Sequence, residues 1–178
     1  GQIGASSEQT AEIFNPSNES LTQAASLRSP RNGHTATLLF DGRVLVTGGF
    51  PISGTTSQNT AELYTPGSDS WAFTSSSMAV GRYGHTATLL PNGKVLVVAG
   101  LRGNNLAQPT VISGSAELFD PGPQSWATTS VPDGRYTHTA TLLPNGKVLI
   151  AGGAKLNGPT SVVELYDPAR GTSLPFEA

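Results

Sequence analysis

The chain has 178 residues, a formal net charge of −2 and no cysteine, and only 12% of its residues are charged. Because there is no basic excess to neutralise phosphates, nucleic-acid binding is not expected. No apolar run approaches the roughly 20 residues that cross a bilayer, and without cysteine neither a disulfide framework nor a thiolate zinc site can form. The 21 glycines and 13 prolines favour many short strands joined by tight turns over long helices.

In chain order, the first predicted elements are two strands within residues 1–30, of which AEIFNP at Ala11 carries an aromatic residue and stops at a proline. The next strand, residues 35–39, precedes Asp41-Gly42, a dipeptide that favours a tight primed hairpin turn with positive φ. Residues 44–46 are a near-continuous apolar run, which is typical of a strand buried on both faces. The run ends in the doublet Gly48-Gly49, where missing side chains allow a close backbone approach.

These elements recur along the chain, and the recurrence is the strongest signal in the sequence. HTATLLPNGKVL stands at residues 85–96 and again at 138–149, and HTATLLFDGRVL stands at 34–45. The AEIFNP segment recurs as AELYTP, AELFDP and VELYDP, and tryptophan follows two of the copies, at Trp71 and Trp126. Second strands are therefore predicted at residues 44–46, 95–98 and 148–151. Four short strands in each repeat of about 50 residues predict an all-β protein.

Each repeat also carries an Arg-x-x-His motif before its first strand and a small doublet, and two repeats have an aromatic residue followed by tryptophan. These features stand at Arg31/His34, Arg82/His85, Arg135/His138, Tyr64/Trp71 and Phe119/Trp126. With them the repeat resembles the kelch family of β-propellers. The segment HTATLLPNGKVL is most similar to bacterial, often secreted kelch proteins and to the propeller of the galactose-oxidase group. The resemblance implies four-stranded blades around a central channel in an extracellular protein. Leu21 stands at the first tryptophan position, and near Ser173 the last tryptophan is absent.

We divide the chain into four units: unit 1 (residues 1–30, the outer strands of a first blade), unit 2 (31–80), unit 3 (81–134) and unit 4 (135–178, incomplete after its third strand). This is about three four-stranded blades. Propellers close with four to eight blades. We therefore expect either a segment of a larger propeller or a ring that is completed by oligomerisation of identical chains.

Candidate binding residues lie in loops that differ between units. The loops between the second and third strands, residues 50–60, 101–115 and 154–161, share a face with the links from fourth to first strands, and function commonly lies in such loops. The candidates that break the repeat are Arg102, Asn104, Asn105, Gln108, Phe50, Ile52, Lys155 and Asn157. The alternative is that they are solvated loop residues.

The residues that recur with the motif could bind a ligand or could only stabilise the fold. Arg31, Arg82 and Arg135 would form a cationic ring for an acidic ligand, or would bond carbonyl groups of neighbouring blades. The three histidines would ligate a metal, but the repeat alone accounts for them and no metal site is predicted. The aromatic residues would stack on a sugar or would pack between blades; they are Trp71, Trp126, Tyr64 and Tyr166.

The sequence contains no phosphate-binding glycine loop, nucleophile elbow or His–Glu helix pair. We therefore expect a non-catalytic scaffold or recognition module that binds protein or carbohydrate, without a cofactor. One alternative is a fragment of a copper-radical oxidase that resembles galactose oxidase. That family uses a tyrosine crosslinked to cysteine, and cysteine is absent here. Another alternative is a purely architectural protein of an extracellular assembly.

Overall fold

The structure, a computed structural model, describes residues 2–3, 6–7, 9–51, 56–103, 111–131 and 133–175. Within these residues the chain consists of short β-strands and one 3-10 helix, Pro66–Ser68, so the predicted all-β class is confirmed. No helix in this part of the chain has the length and apolar character needed to cross a membrane.

The strands fall into the four repeat units. Unit 1 contains β1 (Gln2–Ile3), β2 (Ser6–Ser7), β3 (Ala11–Asn15) and β4 (Ser20–Ala24). Unit 2 contains β5 (Thr35–Leu38), β6 (Val44–Thr47), β7 (Ala61–Thr65) and β8 (Ser70–Phe73). Unit 3 contains β9 (Thr86–Leu89), β10 (Val95–Val98), β11 (Leu101–Arg102), β12 (Val111–Ile112), β13 (Ser115–Asp120) and β14 (Ser125–Ser130). Unit 4 contains β15 (Thr139–Leu142), β16 (Val148–Ala151), β17 (Ala154–Lys155), β18 (Gly158–Pro159), β19 (Val163–Asp167) and β20 (Thr172–Pro175).

Units 2, 3 and 4 each form an antiparallel four-stranded meander, in the orders β5-β6-β7-β8, β9-β10-β13-β14 and β15-β16-β19-β20. The last two meanders join into one eight-stranded sheet through a single parallel pair, Ser130 and Thr172. The first strands β5, β9 and β15 lie side by side along the three units. The predicted second strands are confirmed at β6, β10 and β16.

Unit 4 has a fourth strand that the sequence did not indicate. β20 pairs with β19 over four residues, from Asp167 opposite Thr172 to Glu164 opposite Pro175. The missing tryptophan argued against this strand, but backbone pairing does not require that side chain. Unit 4 therefore has the same four strands as units 2 and 3.

The hairpin between first and second strands differs from the predicted primed turn. In unit 2 the Gly42 N–H donates to the Leu39 carbonyl at 3.1 Å, and the Leu39 N–H donates to the Arg43 carbonyl at 2.8 Å. Gly42 has a positive φ of 84°, whereas Asp41 does not. This is a three-residue loop that ends in a glycine bulge. The Asp41 carboxylate accepts the Arg43 N–H at 3.0 Å, which explains the aspartate in this turn.

The apolar core lies between consecutive units. One face of unit 2, which we call its trailing face, packs against the leading face of unit 3, and unit 3 packs on unit 4 in the same way. The first junction joins Leu39, Leu45 and Leu63 to Val95, Val97 and Phe119. The second junction joins Leu90, Leu96 and Ala116 to Val148, Ile150 and Tyr166. Because Val95–Val98 lies between the two junctions, all four of its side chains are fully buried.

Candidate functional site

The loops between second and third strands lie at one edge of the sheets, beside the links that precede the first strands. Isolated bridges pair Asn32 with Phe50, Tyr83 with Leu101, and Tyr136 with Ala154. We call this surface the loop face. The opposite edge, which carries the short turns of each meander, is called the hairpin face.

Three arginines of the links are buried beneath the loop face. Each is 0% exposed and donates to a carboxylate on the third strand of its own unit at 2.6 Å. The pairs are Arg31–Glu62, Arg82–Glu117 and Arg135–Glu164. A guanidinium group with no exposed surface cannot contact an acidic ligand in solution.

Unit 3 illustrates what the buried pair does. Arg82 also donates to the carbonyl groups of Ala99 and Ser115, each at 2.9 Å. Glu117 accepts the backbone N–H of Ala79 at 2.7 Å. The pair therefore joins the link, the doublet and the third strand. The acceptor carbonyls belong to the arginine's own unit, not to a neighbouring blade as the framework alternative supposed.

The glutamates of these pairs are framework residues that the sequence analysis did not single out. Their signal was present, because each glutamate recurs together with an arginine in units 2, 3 and 4. Burial lowers the pKa of Arg31 and Arg82, and the bonded carboxylates oppose that shift. Burial raises the pKa of Glu164.

The histidines connect neighbouring units. The His85 Nε2 atom lies 3.0 Å from both Thr35 Oγ1 and Thr47 Oγ1 of unit 2, and His138 Nε2 lies 2.8 Å from Thr86 Oγ1 of unit 3. Burial lowers the pKa of His85 to about 3 and that of His138 to about 4, so both are neutral at pH 7. The described residues contain no group of three or more His, Cys, Asp or Glu placed to hold a metal ion.

The aromatic residues pack within and between the units. The ring centroids of Tyr64 and Trp71 are 5.0 Å apart, as are those of Phe119 and Trp126. Trp71 also donates its indole N–H to a backbone carbonyl of unit 1 at 2.9 Å. Tyr166 is fully buried. These rings form cross-strand pairs and junction contacts. The two tyrosines are buried and have no open ring face for a sugar, whereas Trp71 and Trp126 are partly exposed.

The loop candidates have different surroundings. Phe50 is buried, with its ring centroid 5.6 Å from that of Tyr83 in the next unit. Arg102 is exposed on the β11–β12 hairpin, and Asn157 is exposed at the tip of β17–β18. Lys155 forms an ion pair with Asp133 of unit 3 at 2.7 Å. Asn104, Asn105, Gln108 and Ile52 lie outside the described residues.

Two apolar side chains on the loop face were not singled out in the sequence. Val111 is 63% exposed beside Arg102, and Leu156 is 62% exposed beside Asn157. The Ser57 N–H of unit 2 donates to the Gly103 carbonyl of unit 3 at 3.0 Å, so the loops of these two units are in contact. The sequence could have indicated both residues, because each is an apolar residue in a loop that differs between the units.

Comparison with known proteins indicates a fold but no family. No family model matches the sequence, and no curated protein matches it. Among solved structures the chain is similar to YjhT, with a TM-score of 0.75 and 17% sequence identity over 97% of this chain. The chain spans 66% of the length of YjhT. At this identity the similarity shows a shared fold alone.

Proposed function

We propose that the chain is part of an extracellular kelch-type β-propeller that acts as a non-catalytic recognition module through its loop face. Three consecutive meanders with their first strands side by side support the propeller arrangement. The same buried Arg–Glu pair and the same inter-unit packing recur in these meanders. The repeated parts are therefore used for the scaffold, which leaves the loops for binding.

The observation that carries the proposal is the exposed surface of the two loop hairpins. The β11–β12 hairpin presents Arg102 and Val111, and the β17–β18 hairpin presents Leu156 and Asn157. An arginine near exposed apolar side chains is a common composition of protein-binding surfaces. None of these four exposed residues carries an aromatic ring that could stack on a sugar, so this surface favours a protein ligand over a carbohydrate.

The test compares ligands selected by the wild-type chain from a peptide display library and a glycan array. Binding is then measured for the double variant Arg102→Glu/Leu156→Ser. The matched control is Arg170→Glu/Phe40→Ser, which changes an exposed arginine and an exposed large apolar residue on the hairpin face. We expect the loop variant to lose at least about tenfold in affinity, because the altered residues contribute directly to the contact. The control should bind like the wild type.

Two results would contradict the recognition function. One is a selection that returns no ligand above background from either library. The other is a ligand whose affinity falls equally in the loop variant and in the hairpin-face control. Peptide ligands alone would identify protein as the ligand class, and glycans alone would assign the module to carbohydrate.

A further inference from the structure

The junction between units 2 and 3 shows what the trailing face of a unit accepts. Phe119, on the leading face of unit 3, is fully buried in a cluster with Leu39, Leu45 and Leu63 of unit 2. Ala61 and Met78 complete the unit 2 side of this cluster. An aromatic side chain of the following unit therefore fills a hollow of three leucines, one alanine and one methionine.

Unit 4 repeats the three leucines of this hollow, with Val163 in place of Ala61, and the hollow is open there. The equivalents of the unit 2 residues are Leu143, Leu149, Leu165 and Val163, and they line a groove of about 820 Å³ together with Pro175. Leu45 is completely buried, whereas its counterpart Leu149 is only partly buried. Leu174, farther out on β20, is 59% exposed. The groove is thus the trailing face of unit 4, which no unit within the described residues covers.

Unit 1 presents the side chain that fits such a groove. Phe14 is the counterpart of Phe119, and it is 56% exposed. It stands opposite Leu21 on the neighbouring strand, as Phe119 stands opposite Trp126. Leu21 is 62% exposed. Unit 1 therefore carries an uncovered leading face of the kind that is buried at both internal junctions.

We propose that the groove of unit 4 binds the Phe14–Leu21 face of a second copy of this chain. The contact continues an interface that the chain already forms twice between its own units. It is heterologous, because different surfaces of the two copies meet, and two such contacts close a ring of two chains. The docked side chain is Phe14, seated among Leu143, Leu149 and Leu165.

The first measurement is the mass of the chain by light scattering after gel filtration over a range of concentrations. The expected mass is twice the 18.3 kDa of one chain. Phe14→Asp should return the mass to that of a monomer, because an aspartate would be buried without a partner. The matched control is Phe40→Asp, which alters a phenylalanine that is 72% exposed outside both faces. It should remain dimeric, and circular dichroism would verify that each variant is folded.

The second measurement identifies which surfaces of the two copies meet. Since the chain has no cysteine, every disulfide that forms must join two introduced cysteines. A mixture of Phe14→Cys and Leu165→Cys chains should form a disulfide-linked heterodimer under mild oxidation, because only neighbouring residues have the required geometry. A mixture of Phe40→Cys and Leu165→Cys chains should form at least about tenfold less of it.

A monomer at every concentration would overturn the proposal and assign the groove to another occupant, such as further repeats of a longer chain. Linking of Leu165→Cys chains to one another in preference to Phe14→Cys chains would overturn it in favour of a symmetric contact. Neither outcome depends on whether the loop face binds a ligand.

Discussion

At the scale of single residues, the strongest constraint is the charge buried beside each link. Arg82 and Glu117 are 2.6 Å apart and excluded from water, and the carboxylate also accepts a backbone N–H of the link. The attraction within such a pair is offset in part by the cost of removing both charges from water. Losing one partner is more damaging than losing both, because the remaining charge stays buried without a counter-ion.

Glu117→Gln should therefore reduce the free energy of unfolding by about 3 kcal/mol, measured by urea denaturation at pH 7. The control is Asp120→Asn, which breaks the ion pair with Lys94 at 3.0 Å at the surface. That pair is partly exposed to water, so its loss should have a much smaller effect. Equal effects of the two substitutions would show that the buried carboxylate does not hold the guanidinium group as described.

The buried histidines predict a pH dependence of stability. The pKa of His85 is about 3 in the folded chain, against an ordinary value of 6.5. As the pH falls below 6.5, the unfolded chain binds a proton that folded His85 does not, so stability decreases. The loss continues until the pH approaches 3, where folded His85 also becomes protonated.

For His85 alone, the expected decrease between pH 7 and pH 5 is about 2 kcal/mol. It would be measured as the difference between the wild type and His85→Gln in urea denaturation at each pH. His138 and the carboxylates are the same in both proteins, so the difference isolates His85. Parallel stability curves for the two proteins over this range would contradict a neutral, buried His85.

At the scale of elements, the sequence was sufficient to predict the strands whose signals lie in residues close together along the chain. The apolar run of β10 and the proline that follows β7 placed the strands correctly. The turn type was wrong because Asp41-Gly42 suits both a primed turn and a glycine bulge. The β20 strand was missed because its signal lies in backbone pairing with β19.

The candidate site was harder to predict because burial depends on distant residues. Arg31 is buried because Glu62 lies on a strand 31 residues away. Phe50 is buried because Tyr83 of the next unit covers it, whereas Val111 in the equivalent loop of unit 3 is exposed. No local pattern distinguishes these two apolar loop residues.

The glycine doublet gives a prediction about how closely units pack. Gly48 and Gly152 occupy the same position, with φ of 62° and 65°, so alanine has the same backbone cost at both. A Cβ at Gly48 would overlap the Arg82 carbonyl oxygen of the following unit and lie 2.8 Å from His85 Cε1. At Gly152 the nearest atom would be 3.9 Å away.

Gly48→Ala should therefore destabilise the chain by about 1–3 kcal/mol more than Gly152→Ala, measured by urea denaturation. The second variant is the control for backbone strain, because it adds the same methyl group in the same conformation. If the two variants have equal stability, the doublet is required only for its left-handed conformation, and close packing of the units is not the reason for it.

At the scale of the whole molecule, stability is distributed along a row of units, and the apolar junctions within the described residues join consecutive units. In such repeat proteins each interface adds to the stability of the units on both of its sides. Unit 3 has a neighbour on each side, unit 4 has one on its leading side, and the two described strands of the unit 1 outer hairpin are largely exposed. This order sets the expected resistance of each unit to local opening.

Amide hydrogen exchange should follow that order, measured under dilute conditions in which the chain is monomeric. The amides of β10 should exchange slowest, because its side chains are buried on both faces and it pairs with strands on both sides. Those of β16, buried on alternate residues, should be intermediate. Those of β3, in an exposed two-stranded hairpin, should exchange at least about a hundredfold faster than β10 through local opening. Equal protection of β3 and β10 would instead mean that unit 1 opens only when the whole chain unfolds, so the interface on its trailing side would be as strong as the internal junctions.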